Sequence, residues 1–220
     1  MKRFYIALKK GIAIALLLAA ATPERLPPIE QCGGDPEFDR FRRQLETPVE
    51  KRDLDKLLPL LAPDIRLSFG TAPADAKFRN FERSGPGGDG LWQESLWGEL
   101  DEVLHLGCAT ARNGVGVEYR AWPAMFVTGD DLDGFGTWIS RPGAVQRTKP
   151  SEHAPIKQRL PSWTVLEEIG ESIVPYLEVR TPKGRAGFVA HDQLRSLIDY
   201  RLIAKRQGGQ WMITAFIAGD

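Results

Sequence analysis

The fold of this chain is decided by residues 143–195, which read GAVQRTKPSEHAPIKQRLPSWTVLEEIGESIVPYLEVRTPKGRAGFVAHDQLR. Short β-branched and apolar runs recur there at intervals of about ten residues, and prolines and glycines separate them. This pattern is typical of a small all-β barrel, with Thr181–Gly184 as a turn between two strands. The side chains expected to fill the barrel interior are Val145, Ile156, Leu160, Val165, Leu166, Tyr176, Leu177, Val179, Phe188 and Val189.

The two ends of this stretch carry a recognisable pattern. It opens with Val145-x-Arg147-x-x-Pro150-Ser151 and closes with Gly184-Arg185-x-Gly187-Phe188-Val189, followed by Leu194. These residues resemble a bacterial SH3-like (SH3b) domain, and the resemblance covers about a quarter of the chain. It implies a binding role in the cell envelope, and it names no ligand.

The residues before the barrel predict helices and one strand. Asp35-Pro36-Glu37 has the form of a helix start, with a capping Asp and Pro at the first helical position. Apolar side chains recur with helical period up to Leu61 and again over residues 91–106, where tryptophans favour a buried face. Ile65, Leu67 and Phe69 alternate with polar residues, which indicates a half-buried strand. Residues 115–127 are predicted to be extended and to enter the barrel.

The residues after the barrel predict a β-hairpin. Leu202–Arg206 and Gln210–Ala218 flank a Gln207-Gly208-Gly209 turn, and apolar residues alternate along the second strand. The hairpin and the preceding helices would each expose an apolar face alone, so we expect the hairpin to pair with the Ile65–Phe69 strand under the helices. The run Gly208–Phe216 at the end of such a sheet is similar to the nuclear-transport-factor-2-like (cystatin-like) architecture.

The predicted fold class is α+β. A small SH3-like β-barrel is inserted in, or appended to, a helical segment that packs on a short antiparallel sheet containing the C-terminal hairpin. The predicted domains are an α+β domain at 35–127 plus 198–220 and an SH3-like barrel at 128–197.

The first residues predict export. Residues 1–21 combine a basic start with a short apolar run and small residues at its end, which is typical of a signal peptide. An uncleaved anchor is the alternative. Residues 22–34 then form a Pro- and Gly-rich leader, a tether unless Cys32 pins it. The expected location is exported, in a bacterial periplasm if the SH3b resemblance holds.

Charge argues against nucleic acid as a partner. The chain has 29 basic and 29 acidic residues, and four of the basic ones lie in the first 21. The mature protein is therefore mildly acidic, which offers no electrostatic attraction to phosphate backbones.

Cys32 and Cys108 are a candidate disulfide, because an exported protein can form one. Two unpaired thiols are the alternative, since spacing does not reveal geometry. We expect no metal site and no cofactor. The histidines lack the spacing of a zinc pair, and the acidic turn at 129–134 departs from the calcium-loop pattern.

These observations favour a non-catalytic binding or interaction protein whose partner is peptidoglycan or an envelope protein. The candidate ligand-binding residues are Arg147, Trp163, Tyr176 and Phe188, because a peptide groove needs aromatic surface and a few polar groups. For Tyr176 and Phe188 a place in the barrel core is the favoured alternative, because a barrel this small must fill its interior with side chains. A scaffold that docks a partner on its helical half fits the sequence as well.

An enzyme is the alternative function. It would use a carboxylate as acid or base in a pocket of the α+β half, with Asp64, Asp101 and Glu118 as candidates. The chain has no Gly-x-Ser-x-Gly elbow and no peptidase motif around either cysteine.

Overall fold

A computed structural model describes residues 24–68, 96–129, 131–170 and 173–219. The predicted signal peptide, Phe69 and residues 91–95 of the second predicted helix lie outside the described residues. The described residues form an α+β architecture with two β-sheets. Within them, no helix has the length and apolar character needed to cross a membrane.

The α-helices of the described residues are α1 (Pro36–Lys51), α2 (Leu54–Leu57), α3 (Leu96–His105) and α4 (Met125–Thr128). Helix α1 begins as its sequence predicts. The Asp35 carboxylate accepts hydrogen bonds from the backbone N–H groups of Glu37 and Phe38 at 3.0 and 3.2 Å. These bonds satisfy two donors that have no partner within the helix.

The strands, in chain order, are β1 (Ile29–Glu30), β2 (Leu61–Leu67), β3 (Gly107–Arg112), β4 (Glu118–Trp122), β5 (Thr137–Ser140), β6 (Val145–Arg147), β7 (Ile156–Arg159), β8 (Val165–Glu168), β9 (Tyr176–Arg180), β10 (Ala186–Ala190), β11 (Leu194–Ser196), β12 (Arg201–Gln207) and β13 (Gln210–Ile217). The first sheet has the order β1-β3-β4-β12-β13-β2. The second has the order β11-β5-β8-β9-β10-β6-β7.

The predicted pairing of the C-terminal hairpin is confirmed, but the sheet is mixed and not antiparallel. Strand β13 pairs with β12 on one side and with β2 on the other, and the β13–β2 pair is parallel. Strands β1 and β3 are parallel as well. Because most of the chain separates β2 from the hairpin, no tight turn imposes an antiparallel direction on that pair.

Strand β4 corrects another expectation. The sequence predicts that residues 115–127 enter the barrel, but β4 lies in the first sheet, between β3 and β12. The apolar end of β4 contributes to the core of this sheet, because Trp122 is fully buried under α1. The chain then turns into the short helix α4 before it reaches the second sheet.

Helices α1 and α3 cover one face of the first sheet and form its core. Phe38 of α1 packs against Trp122 and Trp211, with ring centroids 5.5 and 4.9 Å apart. The buried side chains of α3 include Trp97, Leu100 and Val103. The tryptophan-containing face predicted for this helix is therefore core, as its aromatic content favoured.

The second sheet is antiparallel throughout and is open. Strands β11 and β7 stand at its two ends, and no backbone ladder joins them among the described residues. The closed barrel that the sequence predicts is therefore not formed by the described ladders. Strand β7 is exposed over most of its length, as expected for a strand at a sheet edge.

The second sheet has its own core on one face. Its buried side chains are Ala144, Leu160, Leu166, Leu177, Val179, Val189 and Leu194. The predicted interior positions Ile156 and Phe188 are wrong, because Ile156 is exposed and neither residue belongs to this core. A register shift between Gln146 and Arg147 interrupts the regular alternation along β7, which explains the error at Ile156.

A third apolar cluster joins the two sheets. Leu106 and Met125 come from the first half of the fold, and Ile139, Val165 and Leu197 come from the second. Leu26 of the leader is buried in the same cluster, and its backbone N–H donates to Trp163 O at 2.8 Å. The described part of the leader, residues 24–34, therefore contacts both sheets.

Candidate binding surface

Four side chains stand directly opposite one another across the second sheet. Ile156 of β7 pairs with Arg147 of β6, Arg147 pairs with Phe188 of β10, and Phe188 pairs with Glu178 of β9. We call Ile156, Arg147, Phe188 and Glu178 the cross-strand row. Residues paired in this way lie on the same face of a sheet, close enough for their side chains to interact.

The cross-strand row faces away from the core of the second sheet. Leu177, Val179 and Val189 alternate with Glu178 and Phe188 along β9 and β10, and all three point into the core. Because successive side chains of a strand point to opposite faces, the row occupies the outer face. Ile156 at the end of the row is 47% exposed, so its apolar surface is available to a partner.

The close approach of β6 and β10 holds Arg147 beside Phe188. A Cβ atom added at Gly187 would lie 2.8 Å from the backbone oxygen of Arg147. The strands can therefore approach this closely only with glycine at that position. The guanidinium of Arg147 donates to Ala154 O at 2.8 Å, and it forms no ion pair among the described residues. Its charge is thus oriented without being neutralised.

The structure brings three of the four predicted binding residues to this face. Tyr176 lies on the same face of β9 as Glu178, opposite Ala190, although only 8% of it is exposed. The exposed side chains of Ile173 and Val174 precede it in the chain. Tyr176 therefore lies at the base of this surface.

Trp163, the fourth predicted residue, lies elsewhere. It packs against the apolar cluster that joins the two sheets, and its backbone N–H donates to Ser140 O at 2.8 Å. Its backbone has a positive φ of 66°, which is uncommon for an aromatic residue. Trp163 therefore belongs to the junction of the two sheets and not to the cross-strand row.

Cys32 and Cys108 form the predicted disulfide. Their Cα atoms are 5.6 Å apart, and both residues are buried. The bond fastens the leader to the start of β3, next to the parallel pairing of β1 with β3. Glu30 lies close enough to both sulfur atoms for a three-ligand metal group, but sulfurs joined to each other are not thiolate ligands.

The carboxylates of the enzyme hypothesis are dispersed. Asp101 lines an open cleft of about 790 Å³ between α1, α3 and the leader, together with His105 and Glu50. Asp64 is exposed and accepts a hydrogen bond from Gln207 at 3.1 Å. Glu118 is hydrogen-bonded by Arg120 at 2.6 Å, which lowers the pKa of Glu118 and opposes a role as a proton donor near neutral pH.

An ion network that the sequence did not predict ties α3 to the second sheet. Glu102 of α3 accepts hydrogen bonds from Arg195 at 2.6 Å and from Arg141 at 3.0 Å. Burial acts to raise the pKa of Glu102, but the hydrogen bonds and charges of the two arginines outweigh it and hold that pKa below its ordinary value. Arg195 also donates to Tyr200 O at 2.6 Å, and its side chain is only 2% exposed.

The sequence predicts the positions of some residues of these sites and not of others. Tyr176, Glu178 and Arg180 alternate with Leu177 and Val179, so the outer position of Glu178 could have been predicted. The bulge that exposes Ile156 has no local signal. Glu102, Arg141 and Arg195 are far apart in the chain, and only the fold brings them together.

No protein-family model matches the chain, and no curated protein matches it significantly.

Proposed function

We propose that this protein is a non-catalytic, exported binding protein whose second sheet acts as an SH3-like module that recognises cell-wall peptide. The alternative partner is an envelope protein, whose extended segment would make the same kinds of apolar and polar contacts. Export rests on the signal-like residues 1–21, and the Cys32–Cys108 disulfide is compatible with an oxidising compartment.

The observation that carries the proposal is the cross-strand row. It combines an exposed aliphatic side chain, Ile156, a guanidinium without an ion pair among the described residues, Arg147, and an aromatic ring, Phe188, on a face outside the core. Apolar contacts and a few fixed polar groups are what a peptide-binding surface requires.

The test is sedimentation of the purified protein with peptidoglycan sacculi. Wild-type protein should pellet with the sacculi, and Phe188→Ala should reduce the bound fraction, because it removes the aromatic centre of the row. Phe135→Ala is the matched control, since Phe135 is 65% exposed and lies outside the row. Circular dichroism and thermal unfolding of both variants establish that they fold.

The outcomes separate the two partners. Loss of pelleting in Phe188→Ala alone supports recognition of cell-wall peptide. No pelleting of wild type, together with a crosslink from the row to an envelope protein, supports the protein partner. Absence of both, or equal effects of Phe188→Ala and Phe135→Ala, would contradict the proposal.

The alternative, an enzyme in the α+β half, has one observation in its favour. Asp101 and His105 line the same cleft of about 790 Å³, and the imidazole Nδ1 of His105 lies 3.5 Å from the Asp101 carboxylate. Both side chains are largely exposed to solvent, whereas catalytic groups usually lie in a site that excludes water. We therefore place this function second. A hydrolytic activity that Asp101→Asn abolishes without unfolding the protein would reverse the order.

A further inference from the structure

A small cavity of about 250 Å³ opens where three segments of the chain meet. It is formed by Glu24 and Arg25 of the leader, by residues 158–161 with Thr164, and by the turn from Thr181 to Arg185. No residue of the cross-strand row lines it. We call this site the basic cavity.

The charge of the basic cavity is strongly unbalanced. Four exposed cations, Arg25, Arg159, Lys183 and Arg185, line it together with one carboxylate, Glu24, although the chain as a whole is neutral. None of these four cations forms an ion pair within the described parts of the chain, whereas nearby Arg180 is paired with Glu167 at 2.8 Å. Like charges gathered without counter-charges repel one another, so an anion that enters the cavity gains from all of them.

Two of the cations are held in place by hydrogen bonds to uncharged groups. Arg25 donates through Nε to Ser162 O at 2.8 Å. Arg185 donates to Gln158 Oε1 at 2.9 Å, and Gln158 donates in turn to Gln146 Oε1 at 2.7 Å. Gln146 is fully buried and donates to Val179 O at 3.0 Å, which anchors this chain of side chains in the core of the second sheet. The guanidinium of Arg185 is therefore oriented before any ligand arrives.

The backbone around the cavity is equally well defined. The leader runs antiparallel to the chain at the start of β8. Arg25 forms an isolated β-bridge with Thr164, and the backbone N–H of Val165 donates to Glu24 O at 3.0 Å. The Thr181–Gly184 turn closes with a backbone hydrogen bond of 2.8 Å from Gly184 N to Thr181 O. Both walls of the cavity thus rest on ladder or turn hydrogen bonds.

We infer that the basic cavity binds a compact oxyanion carrying two or more negative charges, such as a phosphate group or a dicarboxylate. Planar guanidinium groups match the paired oxygens of both chemistries. The volume is below the roughly 300–1,000 Å³ of pockets for drug-sized ligands, so the cavity accepts one anionic group and not a whole large ligand. A single carboxylate would leave most of the excess positive charge uncompensated.

The test is titration of the purified protein with inorganic phosphate and, separately, with malonate, by calorimetry in low-salt buffer. Sodium chloride at the same ionic strength is the control for screening. We expect binding that Arg185→Gln and Lys183→Gln each weaken roughly tenfold, because each variant removes a charge-assisted hydrogen-bond donor. The difference between the phosphate and malonate arms identifies which oxyanion chemistry the cavity favours.

Arg180→Gln is the matched control variant, because it removes the same charge from the strand next to the cavity without changing its lining. The Phe188→Ala variant should bind the anion as wild type does, so this inference stands or fails independently of the peptide proposal. No heat of binding at anion concentrations up to about 10 mM would overturn the inference. Equal weakening in Arg180→Gln and Arg185→Gln would overturn it as well, since that outcome reports net charge and not a site.

Discussion

At the residue scale, the carboxylate of Glu102 connects the two halves of the fold. It lies on α3 of the first half and forms ion pairs with two arginines of the second, Arg141 and Arg195. Arg195 has almost no exposed surface, and Asp199 stands farther from it, at 3.6 Å. Removal of Glu102 would leave this guanidinium charge buried with weak compensation.

We therefore predict that Glu102→Gln lowers the free energy of unfolding by about 2 kcal/mol, less than the cost of removing one partner from a fully buried ion pair, since 27% of the Glu102 side chain is exposed. Urea denaturation followed by tryptophan fluorescence measures this change. The matched control is Glu167→Gln, because Glu167 pairs with Arg180 on the exposed surface and should cost less than about 1 kcal/mol. Equal losses in the two variants would show that the network does not hold the two sheets together.

The same carboxylate predicts a pH dependence. The pKa of Glu102 is lower in the folded protein than its ordinary value of 4.5, so its contribution to stability is complete above that pH and is lost as the pH falls through the folded value. We expect wild type to lose more stability than Glu102→Gln between about pH 5 and about pH 3. Denaturation curves of both proteins across this range measure the difference, and parallel losses would contradict it.

At the scale of elements, the junction of β1 with β3 depends on one glycine. Gly107 has a φ of 76°, and a Cβ atom added there would lie 2.8 Å from the backbone nitrogen of Ile29. Any other residue at this position would push β1 away from β3 and distort the parallel pair beside the disulfide.

We predict that Gly107→Ala destabilises the protein by about 3 kcal/mol, since it combines an unfavourable backbone conformation with a collision against backbone atoms. Gly116→Ala is the matched control, because Gly116 has a φ of 81° with open space around it. The control should cost about 1 kcal/mol, the price of the backbone conformation alone. Thermal and urea unfolding of both variants test this, and equal costs would refute a close approach at Gly107.

The elements differ in how far the sequence could predict them. The cap at Asp35 and the hairpin around Gly208-Gly209 have local signals, because hydrogen-bonding side chains and turn residues act on their immediate neighbours. The pairing of β13 with β2 followed from the need to bury apolar faces, but its parallel direction did not. The place of β4 in the first sheet had no local signal either, because alternation along a strand does not identify its partner.

At the scale of the whole molecule, the disulfide joins the leader to the first sheet across a sequence separation of 76 residues. In the chain-entropy account, a loop of this length contributes about 4 kcal/mol to stability. We predict that a reducing agent lowers the free energy of unfolding of wild type by about this amount, which urea denaturation measures as a lower midpoint. The Cys32→Ser/Cys108→Ser variant should start at the lower midpoint and should not respond to the reductant. An unchanged wild-type midpoint would contradict the prediction.

The sequence predicts which residues form the candidate binding surface better than it predicts how they are arranged. Arg147, Tyr176 and Phe188 came from the resemblance and from their chemistry, and the strand register brings them to one face. Trp163 is a candidate because of its aromatic ring and its place after Pro161-Ser162, but it packs against the apolar cluster between the sheets. The basic cavity could not be predicted, because Arg25 reaches it only through the docking of the leader on the second sheet.

The position of β13 in the first sheet affects the order in which the protein can fold. Strand β13 follows the other described strands in the chain, yet it lies between β12 and β2. Until residues 210–217 are synthesised, β2 therefore has no β13 to pair with, and the part of the helical face that packs on Trp211, Ile213 and Phe216 stays uncovered. Such long-range pairing slows folding and leaves apolar surface open to aggregation. We therefore expect this apolar surface to stay exposed until residues 210–217 pair with β12 and β2.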